Sequence, residues 1–99
     1  MKFEVKEKVY EGELEIGDEK YKFKAYSPGL EVSLFFIEAQ ENEDTKTLLK
    51  AIDRYYEESV EFDGFGSAKT KQKVRKMLER SGKFVEFVNA VLAEVGKSE

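Results

Sequence analysis

The chain contains no cysteine and no histidine. Without cysteine there can be no disulfide framework, no thiolate nucleophile and no cysteine-based metal site. Without histidine the commonest general base and the commonest transition-metal ligand are both missing, and with them the Ser-His and Cys-His forms of nucleophilic catalysis. Asp, Glu, Lys and Tyr could still move protons, but spacing marks out no pair of them, so neither enzyme activity nor a cofactor is expected. Long apolar runs are absent as well. Met1-Lys2-Phe3-Glu4-Val5-Lys6 has no apolar core of signal-peptide length, and no stretch approaches the about 20 residues that a membrane-spanning helix needs. The expectation is a cytoplasmic protein without a membrane anchor.

What is present suits one folded domain covering residues 1–99. A chain of this length buries about 64% of its unfolded surface. The 40% hydrophobic content, with eight Phe and five Tyr, supplies the material. Charged residues make up 38%, with both signs interleaved through most of the sequence, which fits a solvated surface better than disorder. The balance is uneven: residues 1–66 carry nine basic and seventeen acidic side chains, and residues 67–83 carry seven and one. The basic block is local.

Residues 2–26 read as extended. Phe3 and Val5 alternate with charged residues, and Leu14-Glu15-Ile16 and Tyr21-Lys22-Phe23-Lys24 do the same on either side of Gly17-Asp18-Glu19-Lys20. Gly17 and Asp18 accept the dihedrals of a tight hairpin, with Leu14, Ile16, Tyr21 and Phe23 on its covered face. Gly12 is expected to bend the chain ahead of it. Ser27-Pro28-Gly29 ends the region. The next ten residues, Leu30 to Ala39, alternate as in a strand, yet Leu30, Leu34 and Ile37 also fall at helical spacing after a Ser-Pro helix start. Both readings stay open, and either makes the segment core.

Asp44 is placed to cap a helix from Thr45 to about Ser59, with Leu48, Leu49, Ile52, Tyr55, Tyr56 and Val60 on its packed face. The Phe62 to Gly66 turn then reverses the chain: Phe62 and Phe65 anchor it, and Gly64 and Gly66 take dihedrals closed to other residues. Ser67 is expected to cap a helix from Ala68 to Arg80 whose apolar stripe, Val74, Met77 and Leu78, is narrow. Ser81-Gly82 breaks it. A last helix, Lys83 to Val95, is apolar over more than half its circumference, through Phe84, Val85, Phe87, Val88, Val91, Leu92 and Val95, and Gly96 is expected to stop it. So broad a surface is either buried centrally, the favoured reading, or shared with a partner. The fold class is α+β: a β-rich lobe over residues 1–40, built on an antiparallel hairpin or meander, packed on a bundle of three helices over residues 45–96.

The sharpest surface feature is basic: Lys69, Lys71, Lys73, Arg75, Lys76, Arg80 and Lys83. A nucleic-acid-binding regulator could use such a block on phosphates. No aromatic residue is interleaved for stacking, however, and the sequence pI is about 5.1. A solvated face drawn to the acidic first half or to an acidic partner fits better. Gly64 to Thr70 lacks the spacing of a Walker loop and follows what reads as a helix. Glu57, Glu58, Glu61 and Asp63 do not alternate like a calcium loop, so no metal is assigned.

The Tyr55-Tyr56 pair, the acidic-aromatic stretch ending in Phe65-Gly66, the helix start Ser67-Ala68-Lys69-Thr70 and the closing helix rich in Phe and Val together resemble small tail assembly chaperones of long-tailed phages and prophages, over residues 45–95. The resemblance implies a helical segment from Leu30, no enzymatic activity, and binding to tail proteins such as the tape-measure protein, with homo-oligomers possible. The contact surface expected from it combines Lys69, Lys73, Lys76 and Arg80 with Phe84, Phe87, Val88 and Val91, beside a structural turn at Phe62, Gly64, Phe65 and Gly66.

Overall fold

The computed structural model describes residues 1–64 and 66–97. Strand β1 (Val9–Ile16) and strand β2 (Glu19–Tyr26) form the hairpin, with Ile16 opposite Glu19 and only Gly17-Asp18 between them. Gly17 takes φ 60° while Asp18 keeps a negative φ, the pattern of a two-residue turn with glycine first. Alternation sends Tyr10, Leu14, Ile16, Tyr21 and Phe23 to the face packed against the core.

Two expectations are corrected here. Residues 1–8 form no strand, and Phe3 and Val5 stand 81% and 77% exposed. Their apolar positions are odd-numbered whereas those of β1 are even-numbered, so one regular strand cannot cover both sets. Gly12 is not a bend. It sits mid-strand opposite Phe23, and a Cβ there would lie 2.5 Å from Phe23 Cζ and 2.9 Å from Tyr10 Cε2. The missing side chain is what lets the Phe23 ring cross β1.

The segment left open between strand and helix is a helix, α1 (Leu30–Asn42). Gly29, rather than Ser27, occupies its N-cap, and Glu43 ends it at φ 50° with its N–H on the Ala39 carbonyl. Asp44 starts α2 (Thr45–Ser59) as expected, accepting from the N–H groups of Lys46 at 3.0 Å and Thr47 at 3.4 Å. Hydrogen bonds from the Thr47 hydroxyl and backbone hold the Asp44 carboxyl below the usual carboxylate range. So short a link makes α1 and α2 an antiparallel pair.

Helix α2 buries Ala51, Ile52, Tyr55, Tyr56 and Ser59, but Leu48 and Leu49 are exposed, contrary to their expected place on the packed face. They lie in its first turns, where α1 is the neighbour. The chain then enters β3 (Val60–Phe62), which pairs antiparallel with β2 through Ala25 opposite Val60 and Phe23 opposite Phe62. No strand is expected here from the sequence, which puts Val60 on the packed face of α2 and Phe62 in the turn; Val-Glu-Phe is too short a period-two signal to stand apart. Phe62 is core, and Gly64 and Gly66 adopt φ 101° and 73°, the left-handed region the turn demanded. Phe65 lies outside the described residues.

Helix α3 (Ser67–Arg80) is capped by Gly66, not Ser67, because the Gly66 carbonyl already accepts from Lys69 at 3.0 Å and Thr70 at 3.1 Å. Helix α4 (Phe84–Lys97) runs through Gly96 rather than stopping there. Its Phe84, Val88, Val91 and Val95 join one core with Phe23, Val32, Ile52, Tyr55, Tyr56, Val60, Phe62, Val74 and Leu78. The fold is therefore α+β: the described residues form a three-stranded antiparallel sheet in the order β1-β2-β3 with four helices, one more than the expected three.

Candidate functional site

The proposed contact surface divides once the chain is folded. Phe84, Val88 and Val91 are buried and Phe87 half-buried, with the Phe84 ring 5.1 Å from Tyr56 and the Phe87 ring 5.4 Å from Phe23. No partner reaches these three without opening the core. Helix α4 is broad because the sheet, α2 and α3 all pack against it, which is the central burial favoured from the sequence.

Two of the basic residues of α3, Lys71 and Arg75, are turned inward and half-buried. Arg75 spans three carboxylates: it pairs with Asp53, with Glu57 at 2.6 Å and with Glu79 at 2.8 Å, and it stacks 4.8 Å from the Phe84 ring centre. Burial alone would weaken its charge, but the hydrogen bonds to Glu79, Asp53 and Glu57 outweigh it and drive its pKa up. Lys71 donates to the Glu57 carbonyl at 2.6 Å, and burial pushes its ammonium pKa down against the pull of Glu57 and Glu61. Lys73 reaches Glu19 at 3.6 Å, and that carboxylate raises its pKa. Glu19 also accepts from the Tyr21 hydroxyl and is pulled down by it first and by Lys73 second.

What remains is a stripe. Lys69, Lys73, Lys76 and Arg80 share one exposed edge of α3, and among the described residues Lys69, Lys76 and Arg80 have no ion-pair partner. The acidic group separates: Glu57 serves Arg75 and Gln72, while Glu61 accepts from Tyr26. The described residues contain no group of three acidic side chains close enough to hold a metal ion. Gly64 to Thr70 follows strand β3, not a helix, but its spacing is still not that of a phosphate loop.

The exposed apolar surface lies elsewhere, on α1. Val32, Ala39 and half-buried Phe35 and Phe36 face inward, while Leu30, Leu34 and Ile37, at i, i+4 and i+7, form the opposite stripe and stand 79%, 54% and 51% exposed. Calling the whole segment core was therefore wrong for its outer half. A helix with apolar stripes on opposite faces normally has neighbours on both, yet among the described residues α2 is the one element with which α1 shares a substantial interface. Carboxylates border the stripe: Glu38 and Glu41 are exposed, and Glu31 binds Arg54. Arg54 and Lys50 cover the Phe35 ring at 5.6 and 5.5 Å. At the loop end of this helical pair an open groove of about 470 Å³ is lined by Phe36, Ala39 and Leu48 with Glu43 and Asp44.

The signal for the stripe was in the sequence. Leu30, Leu34 and Ile37 were visible at helical spacing, but only the fold shows that nothing covers them. No protein-family model, curated protein sequence or solved structure matches the chain. Among the described residues no helix is long and apolar enough to cross a membrane.

Proposed function

We propose that this is a non-enzymatic assembly protein that acts by holding an apolar helix of another protein, in the manner of the tail assembly chaperones its second half resembles. The observation that carries the reading is the Leu30, Leu34, Ile37 stripe on a helix with one neighbour. The contact surface is thus α1 and the start of α2 rather than α4. Its occupant is a helix whose apolar stripe is bordered by lysine or arginine, complementary to Glu38 and Glu41, as found by helix-in-groove recognition. A tail protein such as the tape-measure protein is the proposed client, and the basic edge of α3 would steer acidic regions of the same assembly.

The test is co-expression with the tape-measure protein of the same genome, comparing wild type with Leu34→Lys/Ile37→Lys. Both residues are exposed, so the variant should fold with unchanged stability. Wild type should keep the client in solution and co-purify with it, and the variant should do neither. Equal capture by both forms, or none by wild type, would sink the reading.

A further inference from the structure

We propose that residues 2–6 form a fourth strand on the exposed edge of β1 in a second copy of the chain, each copy giving and receiving one strand. Among the described residues β1 pairs only with β2, so its outer edge presents unpaired backbone groups. Next to it in sequence is an extra period-two segment, Lys2-Phe3-Glu4-Val5-Lys6, with both apolar side chains in solvent.

Charge fixes the partner. On the solvent face of the sheet Glu11, Glu13 and Glu15 stand opposite Lys24, Lys22 and Lys20 of β2, and Lys24 stands opposite Glu61 of β3. The rows alternate in sign from strand to strand, and the outermost row is acidic. Pairing β1 with β1 of another copy would oppose glutamates, which is unfavourable. A strand bearing lysines continues the alternation.

Register fixes the copy. Residues directly opposite in a sheet share a face, so placing Phe3 beside Leu14 and Val5 beside Gly12 brings Lys2 opposite Glu15 and Lys6 opposite Glu11. Glu4 then meets Glu13, between the two lysines. Phe3 arrives over apolar grooves of about 260 and 380 Å³ that flank Leu14 along α4, lined by Phe87 and Ala90. In that register Lys8 would oppose Val9, which bonded neighbours in one chain cannot do. The strand therefore comes from another molecule, and the mutual exchange closes as a two-fold dimer, with an irregular step at Glu7-Lys8 that brings the odd-numbered apolar residues of the tail and the even-numbered ones of β1 to the same face. A hairpin within one chain would need the register shifted by two: shifted one way it would turn at Val9-Tyr10, which are already paired with Tyr26 and Ala25 in β1 and are not usual turn residues, which leaves the other direction. That places Phe3 against Gly12, where the Phe23 and Tyr10 rings already crowd, keeps one Lys–Glu pair instead of two, and closes through Glu7-Lys8, which contains no usual turn residue.

This interface does not involve the α1 stripe, so the two readings fail separately. Sedimentation and light scattering of the full chain should give twice the 11.4 kDa of the monomer. Deleting residues 2–8 should give a monomer that keeps its helical circular dichroism and melts cooperatively, at a temperature that no longer rises with protein concentration as that of the full chain does, whereas Leu34→Lys/Ile37→Lys should stay dimeric. Lys2→Glu/Lys6→Glu and Glu11→Lys/Glu15→Lys should each weaken self-association about tenfold or more, and a mixture of the two should restore it, since each tail then meets an edge of opposite sign. A monomeric full chain, a dimer that survives the deletion, or swapped chains that do not combine would overturn the proposal. If the edge variant fails to fold, the deletion still decides.

Discussion

Replacing Tyr56 by phenylalanine removes a single buried oxygen. That hydroxyl donates to the Lys71 carbonyl at 2.5 Å and ties α2 to α3, while the ring, wholly buried, stays against Phe84 and Phe62. The loss should cost about 1 kcal/mol, the usual net worth of such a bond, or about 4–8 °C of melting temperature for a domain of this size. Tyr55→Phe, which removes the bond to the Tyr26 carbonyl at 2.7 Å, should cost a similar amount. Tyr56→Ala also empties the ring's site and should cost about 3–5 kcal/mol, close to the whole stability of a marginal domain. Alkali provides an independent arm. Burial pushes the Tyr55 phenol from 10.0 up to about 12, and burial followed by the Glu57 charge pushes Tyr56 up as well. The folded state thus keeps protons that the unfolded chain releases, so this stabilisation is complete below pH 10 and is lost as pH rises towards about 12. Lys71, lowered from 10.5 by burial, acts with the opposite sign at and below that pH, so the informative quantity is the difference between wild type and the Tyr→Phe variants. Urea unfolding by circular dichroism at neutral and alkaline pH measures it. Phenylalanine variants as stable as wild type, with an equally steep alkaline loss, would refute the buried hydroxyl bonds.

Three further substitutions probe separate parts of the fold. Gly12→Ala should destabilise by about 1–3 kcal/mol through overpacking against Phe23; a gain in urea midpoint would show that the ring does not cross β1. Glu43→Gly should raise stability by about 0.5–1 kcal/mol, because relief of left-handed strain exceeds the added freedom of the unfolded glycine. Arg75→Met leaves the carboxylates of Asp53, Glu57 and Glu79 facing one another, two of them nearly half exposed. After allowing for solvent screening it should cost about 1–3 kcal/mol at neutral pH. That penalty should shrink at high salt, which screens the three charges, and one that does not change with ionic strength would argue against electrostatic crowding.

The parts of this fold that local chemistry dictates were readable before any coordinates. Gly17-Asp18 between two alternating runs is a hairpin because two residues can close only with such dihedrals. Asp44 caps α2 because its side chain reaches free N–H groups that helix geometry always leaves, and the breadth of α4 required it to be surrounded. Other features depended on what lay across space. Leu30 to Ala39 satisfies both periods, and its helical state follows from α2 lying alongside. Val60 to Phe62 becomes a strand because β2 offers an open edge. Arg75 faces inward because the carboxylates of α2 are there, and Lys71 because the Glu57 carbonyl is, while among the described residues Lys69, Lys76 and Arg80 on the same helix meet no counter-charge. Periodicity along a chain reports which side of an element is apolar or charged. Whether that side meets a neighbour or is left uncovered, as on the outer stripe of α1, is set by long-range packing, to which residues distant in sequence contribute.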